Sequence, residues 1–190
     1  FGATGNGRLG DITIIDGGTV TANADIIGGR FLRTTTGGMA FTFNQPVDLD
    51  NGAAGTVFDI DDASTLTLAD AATVTTGTGG AVAFDGDSTG ALSIGTGAFT
   101  LDGTFNETQF TSVTTGADMT STSTINFDNA VTMTQDLMLQ GTTVSFGSTL
   151  NGTTADTEGL TVTGNGSFAA NVGTGTVSYT HLTLPTKCWV

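Results

Sequence analysis

Short runs in which apolar and polar residues alternate recur along most of this 190-residue chain. They include Asp11-Ile-Thr-Ile-Ile15, Ala40-Phe-Thr-Phe43, Thr65-Leu-Thr-Leu68, Ala81-Val-Ala-Phe84, Ala91-Leu-Ser-Ile94 and Ala98-Phe-Thr-Leu101. Thr124-Ile-Asn-Phe127, Val131-Thr-Met-Thr134, Thr142-Thr-Val-Ser-Phe146 and Leu160-Thr-Val-Thr163 continue the pattern. Each sets apolar side chains on one face and Thr, Ser or Asn on the other, the period-2 signature of a half-buried strand. Between the runs stand Asn6-Gly7, Asn51-Gly52, Asp85-Gly86, Asp102-Gly103, Asn151-Gly152 and Asn165-Gly166. Gly, Asn and Asp adopt positive φ at little cost and so turn the chain. Helix signals are almost absent, because β-branched Thr, Val and Ile lose rotamer freedom in a helix.

Strand centres recur every ~7–10 residues, which gives two or three strands per ~20-residue unit. One such unit cannot bury its own apolar pair, whereas stacked units build a continuous column of inward Phe, Leu, Ile and Val. At ~4.8 Å per coil, about nine coils would make a rod about 40 Å long. The expected fold is therefore all-β, a parallel β-helix (β-solenoid) over residues 1–177. An antiparallel β-sandwich or meander produces a similar pattern, but short strands with varied gaps stack more easily than they pair in hairpins.

Composition supports an ordered but polar chain. Leu, Ile, Val and Phe make up 45 of the 190 residues, above the level at which disorder is expected. The net charge of −14 lacks the basic footprint that phosphate binding requires, so nucleic acid is excluded as a partner. No apolar run approaches the ~20 residues of a membrane-spanning helix, and membrane insertion is not expected. The only Tyr, His, Lys, Cys and Trp are Tyr179, His181, Lys187, Cys188 and Trp189, all in the final segment. That segment, residues 178–190, resembles translated adapter read-through at the ends of environmental sequence assemblies, and is set aside as non-native. Without it the chain offers no His, Lys or Cys for catalysis, and it reads as an interior piece of a longer protein.

The most telling phrases are Asn126-Phe-Asp-Asn-Ala-Val-Thr-Met-Thr-Gln-Asp-Leu-Met-Leu139 and Thr143-Val-Ser-Phe-Gly-Ser-Thr-Leu-Asn-Gly152. Glu158-Gly-Leu-Thr-Val-Thr-Gly164 and Ser167-Phe-Ala-Ala-Asn-Val-Gly173 follow them. Over residues 81–177 the text resembles bacterial β-strand-repeat surface proteins related to filamentous haemagglutinin and autotransporter passengers. The resemblance implies a right-handed parallel β-helix in an exported, cell-surface protein. It also implies a structural or adhesive, non-catalytic role, with glycan, matrix or host-surface ligands and neighbouring coils of the same parent chain as partners.

Candidate sites divide by the context each chemistry needs. Gly5-Asn-Gly-Arg-Leu-Gly10 matches the dinucleotide fingerprint G-x-G-x-x-G, but a strand-like run follows it where the pyrophosphate site needs a helix. Gly86-Asp-Ser-Thr-Gly90 matches the nucleophile elbow with Ser88 as nucleophile, yet the only His lies in the excluded tail and another strand follows. Neither a catalytic residue nor an organic cofactor is therefore expected. Asp48, Asp50, Asp59, Asp61, Asp62, Asp85 and Asp87 sit at strand–turn junctions. Carboxylates there are oxygen ligands of the kind Ca²⁺ takes, with Asp59, Asp61, Asp62, Asp85 and Asp87 the candidates; none fits an EF-hand or nonapeptide Ca²⁺ motif. The alternative function is a carbohydrate-active β-helix enzyme, a polysaccharide lyase or hydrolase using a carboxylate pair. Clustering of three carboxylates with Arg in one groove would favour it, and Arg8, Arg30 and Arg33 are the only arginines. Thr-x-Thr steps occur at Thr19/Thr21, Thr65/Thr67, Thr73/Thr75, Thr122/Thr124, Thr132/Thr134 and Thr161/Thr163. An ice-binding solenoid would align such pairs in an even rank; the irregular gaps here are expected to scatter them as ordinary outward, β-favouring Thr.

Overall fold

The computed structural model describes residues 8–15, 18–33, 36–154 and 157–173. The tail at 178–190 and the first three residues of the glycine fingerprint, Gly5, Asn6 and Gly7, lie outside them. Among the described residues there is no helix, and seventeen strands form one continuous sheet that coils through about seven turns of a β-solenoid.

The first three strands, β1 (Leu9–Thr13), β2 (Thr19–Ala22) and β3 (Ile26–Arg33), open three faces of a prism. The path continues through β4 (Met39–Phe43), β5 (Val47–Leu49), β6 (Gly55–Leu68), β7 (Val74–Thr76), β8 (Gly80–Ile94) and β9 (Phe99–Leu101). It ends with β10 (Phe105–Thr108), β11 (Ser112–Thr115), β12 (Met119–Ser121), β13 (Thr124–Phe127) and β14 (Val131–Met133). After these come β15 (Leu137–Phe146), β16 (Leu150–Gly152) and β17 (Leu160–Phe168). The first face stacks β1, β3, β6, β8, β10, β13, β15 and β17. The second stacks β2, β4, β6, β8, β11, β14 and β16. The third stacks β3, β5, β7, β9, β12, β15 and β17. Long strands such as β6 and β8 bend round a corner and serve two faces.

Every pairing between strands is parallel, which removes the antiparallel sandwich and meander. The coil count also needs correction, from nine to about seven. The assumed even period fails: Val113 aligns with Val131, 18 residues on, whereas Phe31 aligns with Phe58, 27 residues on. Corner loops absorb the difference, so the ladder stays in register while loop length varies.

The inward residues behave as the alternation predicts. Phe84, Ile94, Leu101, Phe127, Val144, Phe146 and Val162 are all buried. On the first face they form an aromatic spine. Phe58, Phe84, Phe105 and Phe127 alternate between two inward columns, and the first three meet edge to face, with centroids 5.0 and 5.8 Å apart. Phe127, Phe146 and Phe168 share one column and stack, 5.4 and 5.5 Å apart, with planes 7° from parallel. Alignment alone does not impose stacking: Phe31 and Phe58 are also aligned, yet meet edge to face with centroids 5.8 Å apart. The corners are tight: a Cβ on Gly164, at φ +122°, would lie 1.8 Å from the Gly141 carbonyl oxygen, so only glycine turns there. At the first turn the core is open. A cavity of about 590 Å³ is lined there by Leu9, Ile12, Val20, Ala22, Ile26 and Phe31.

Candidate functional site

Several acidic side chains cap backbone amides from a neighbouring turn. Asp70 Oδ1 accepts from the Thr96 amide, Asp118 Oδ1 from Met138 and Asp136 Oδ1 from Gly159. Asp102 Oδ2 accepts from Gly79, and Asp62 Oδ2 from Gly37. At each corner the ladder lapses and leaves amides without a strand partner, and a short carboxylate one coil away satisfies them. These five Asp residues are therefore fixed by the geometry of coil corners.

Three of the Ca²⁺ candidates do come together. Asp59 and Asp61 project from the same outward side of β6, and Asp61 lies one coil from Asp85, since Ile60 aligns with Phe84. Partial burial and the negative charges of Asp61 and Asp85 push the Asp59 carboxyl up to about 6. Burial and Asp85 likewise raise Asp61, although the nearby Arg33 guanidinium opposes this. Asp62, at φ 54°, turns away to the Gly37 amide, and Asp87 Oδ1 accepts from the Thr89 amide and hydroxyl. Asp85 is engaged too, accepting from the Thr108 hydroxyl and the Gln109 amide group. Among the described residues no three metal-ligating side chains converge closely enough to hold an ion.

The arginines are held in place. Arg8 donates to Asp48 Oδ1 at 2.7 Å and to the Gly28 and Asp48 carbonyls, and Arg30 pairs with Asp11 at 2.5 Å. Arg33 is 1% exposed and donates to the Asp61 and Gly37 carbonyls, leaving its Nε without a partner. Sequence reading missed that it occupies a core position, aligned with Ile60. A second buried ion, Glu107, sits in the same inward column, aligned with Phe84 and Phe127. Burial raises its pKa, while hydrogen bonds from the Asn129 side chain (2.9 Å) and amide (3.2 Å) oppose the rise. Glu158 is the converse: hydrogen bonds from Thr153, Thr157 and the Thr154 amide hold it down at about 2.

The two catalytic look-alikes resolve into ladder and corner. Leu9 and Gly10, the last residues of the glycine fingerprint, begin strand β1. Ser88 lies within β8 at φ 65°, at the bend between two faces, and strand follows it. The only His of the chain, His181, falls outside the described residues.

The threonine expectation requires correction. Along the second face, Thr21, Thr42, Thr67, Ser93, Thr114, Thr132 and Asn151 align coil upon coil in one outward rank. A parallel rank holds Thr19, Ala40, Thr65, Ala91 and Ser112. The irregular sequence gaps do not scatter them, because the extra residues loop out at the corners. No charged side chain stands in either rank, in a chain of net charge −14. Corner hydroxyls are tied to protein: Thr76 and Ser121 each donate to a carbonyl at 2.6 Å. Among the described residues, the hydroxyls of Thr21, Thr42, Thr67, Ser93 and Thr132 take no protein partner.

Comparison of the chain with protein-family models, with curated proteins and with solved structures finds no match.

Proposed function

We propose that this chain is a structural or adhesive segment of an exported bacterial surface protein, a stiff rod that acts by contact and not by catalysis. The observation that supports this reading best is the uncharged hydroxyl face. Two ranks of Thr, Ser, Ala and Asn run along the second face at the ~4.8 Å coil repeat, and the hydroxyls of Thr21, Thr42, Thr67, Ser93 and Thr132 are without a protein partner. Such a surface offers many weak, equivalent hydrogen bonds to a neutral partner such as a glycan or matrix polymer, and no field to steer a charged one. The aromatic spine and the parallel ladder make the support rigid. The resemblance to β-strand-repeat surface proteins supplies the exported setting.

Binding of the full chain to an immobilised panel of neutral polysaccharides tests the reading. Wild type should bind, and Thr67→Glu with Thr114→Glu, placing charge mid-face, should abolish retention with the circular dichroism unchanged. Retention of the double variant at the wild-type level would overturn it.

A carbohydrate-active enzyme has one observation in its favour: a carboxyl raised to about 6, Asp59, beside the two further carboxylates Asp61 and Asp85. Paired carboxylates with separated pKa values can divide acid and base roles. Against it, all three arginines are engaged, Arg33 by two carbonyls and the others by Asp48 and Asp11, and none is left to grip a uronate on that face. New reducing or unsaturated ends released from polysaccharides by wild type but not by Asp59→Asn would establish the enzyme reading over the adhesive one.

A further inference from the structure

The corner between β5 and β6 carries an Asn-Gly step in a setting unlike those of the other described Asn-Gly pairs. Asp50, Asn51, Gly52 and Ala53 leave the ladder here, and the last three are exposed. The Gly52 amide donates to Asp50 Oδ1 at 2.8 Å, and the Ala53 amide donates to Asn51 Oδ1 at 3.0 Å. Gly52 has φ +73°, with no atom within 4 Å of where a Cβ would stand.

We infer that Asn51 is a self-modification site, at which the corner promotes its own deamidation through a cyclic imide. The Gly52 nitrogen attacks Asn51 Cγ as its proton passes to the Asp50 carboxylate, which lies within hydrogen-bond reach of it. Negative charge builds on Asn51 Oδ1, where the Ala53 amide already donates. The new N–Cγ bond closes a five-membered ring, the Cγ–Nδ2 bond breaks, and the amide nitrogen leaves as ammonia with the transferred proton. Water then opens the ring at either carbonyl, leaving aspartate or isoaspartate at position 51. No electron donor or acceptor is required.

The other described Asn-Gly steps supply internal controls. Asn151-Gly152 lies in β16, aligned with Thr132 and Met133, and a Cβ on Gly152 would meet the Glu158 carboxylate at 2.5 Å. Asn165-Gly166 lies in β17, aligned with Thr143 and Val144. A backbone held extended in a ladder carries the following amide nitrogen away from the side-chain carbonyl, so ring closure requires the strand to open first. At position 51 the reaction leaves the ladder intact. Its product adds a carboxylate beside Asp50, and in the isoaspartate form also lengthens the backbone by one methylene within a corner loop. The rod would thus carry a mark of elapsed time on a surface that remains folded.

Incubation of the full chain at neutral pH and 37 °C, with peptide mapping by mass spectrometry and enzymatic isoaspartate labelling, tests this. Asn51 should convert at least about tenfold faster than Asn151 and Asn165, and Asp50→Ala should slow Asn51 by about a hundredfold, the low end of a general-base contribution. In urea the three wild-type rates should converge, a comparison that stands even if the variant folds poorly. Equal rates at the three sites in the folded protein, or an Asn51 rate unchanged by Asp50→Ala, would overturn the assignment.

Discussion

Truncation of Phe127 to Ala probes the aromatic spine at its most constrained point. The ring is fully buried, lies 5.1 Å from Phe105 and 5.4 Å from Phe146, and aligns with Glu107 below and Phe146 above. A buried Phe→Ala change ordinarily costs about 3–5 kcal/mol through lost transfer energy and the residual cavity. The upper half of that range is expected here, because two ring pairs are lost as well, each worth about 0.5–1.5 kcal/mol beyond area burial. Backbone ladders on both sides also keep the coils from collapsing into the space. For a chain of this size about 1 kcal/mol moves the midpoint by roughly 2–4 °C, so the thermal transition should fall by about 8–20 °C. Each coil contacts only its neighbours, so a weakened mid-rod interface should also divide the transition into two, visible as a lower urea m-value. Thr132→Ser, on an outward position of an adjacent strand, removes one solvent-facing methyl and should cost well under about 1 kcal/mol. Equal, mild effects from the two substitutions in calorimetry and urea melts would refute the inward and outward assignment and the stacking energetics built on it.

The remaining predictions concern charge. The folded pKa of Asp59, about 6, lies above its ordinary 3.8, so its contribution to stability is complete below pH ~4 and is lost as pH rises through 6. For a half-exposed group the effect is discounted by solvent to about 1 kcal/mol; Asp59→Asn should therefore stabilise the protein at pH 7.5 and flatten its stability profile between pH 4 and 6, and an unchanged profile would contradict this. Glu107→Gln should destabilise by about 1–3 kcal/mol, because one carboxylate oxygen that accepts from Asn129 becomes a donor facing a donor; a neutral melt would refute that account. Calcium titration by calorimetry should show no stoichiometric binding at micromolar concentration, because among the described residues no three acidic groups converge towards a cage of about six to eight oxygens.

Much of the fold was legible in the sequence because side-chain alternation follows directly from the pleat. Ile94, Leu101 and Val162 are placed inward by period alone. Parallel pairing was favoured by short strands of uneven spacing. What could not be read was the register, since coils of 18 and 27 residues look like noise in sequence and become order only when loops are allowed to bulge at corners. The Thr face was misjudged for that reason: Thr21, Thr42 and Thr67 follow no fixed interval, yet they align. Arg33 and Glu107 were invisible as core residues because inward polar positions break the alternation, and only the alignment of Arg33 with Ile60, and of Glu107 with Phe84 and Phe127, places them. The Asp candidates, expected at strand–turn junctions, instead lie within the long strands β6 and β8, and the partners of Asp62 and Asp85 lie one coil away, a distance in sequence that changes from turn to turn.

Loops that absorb length also change how such a chain accumulates mutations. An insertion at residues 50–54 or 69–73 displaces no strand from its neighbour, because each rung takes its register from the rung beneath it and not from a count along the chain. Indels at corners are thus close to neutral, while a substitution at Phe105 or Phe127 is not. Over evolutionary time, related rods would retain their shape and their columns of inward residues while losing any common frame of alignment. Descent in chains of this architecture should therefore be sought in the order of residues up each column, such as Phe58, Val82, Phe105, Ile125 and Val144, instead of along the backbone.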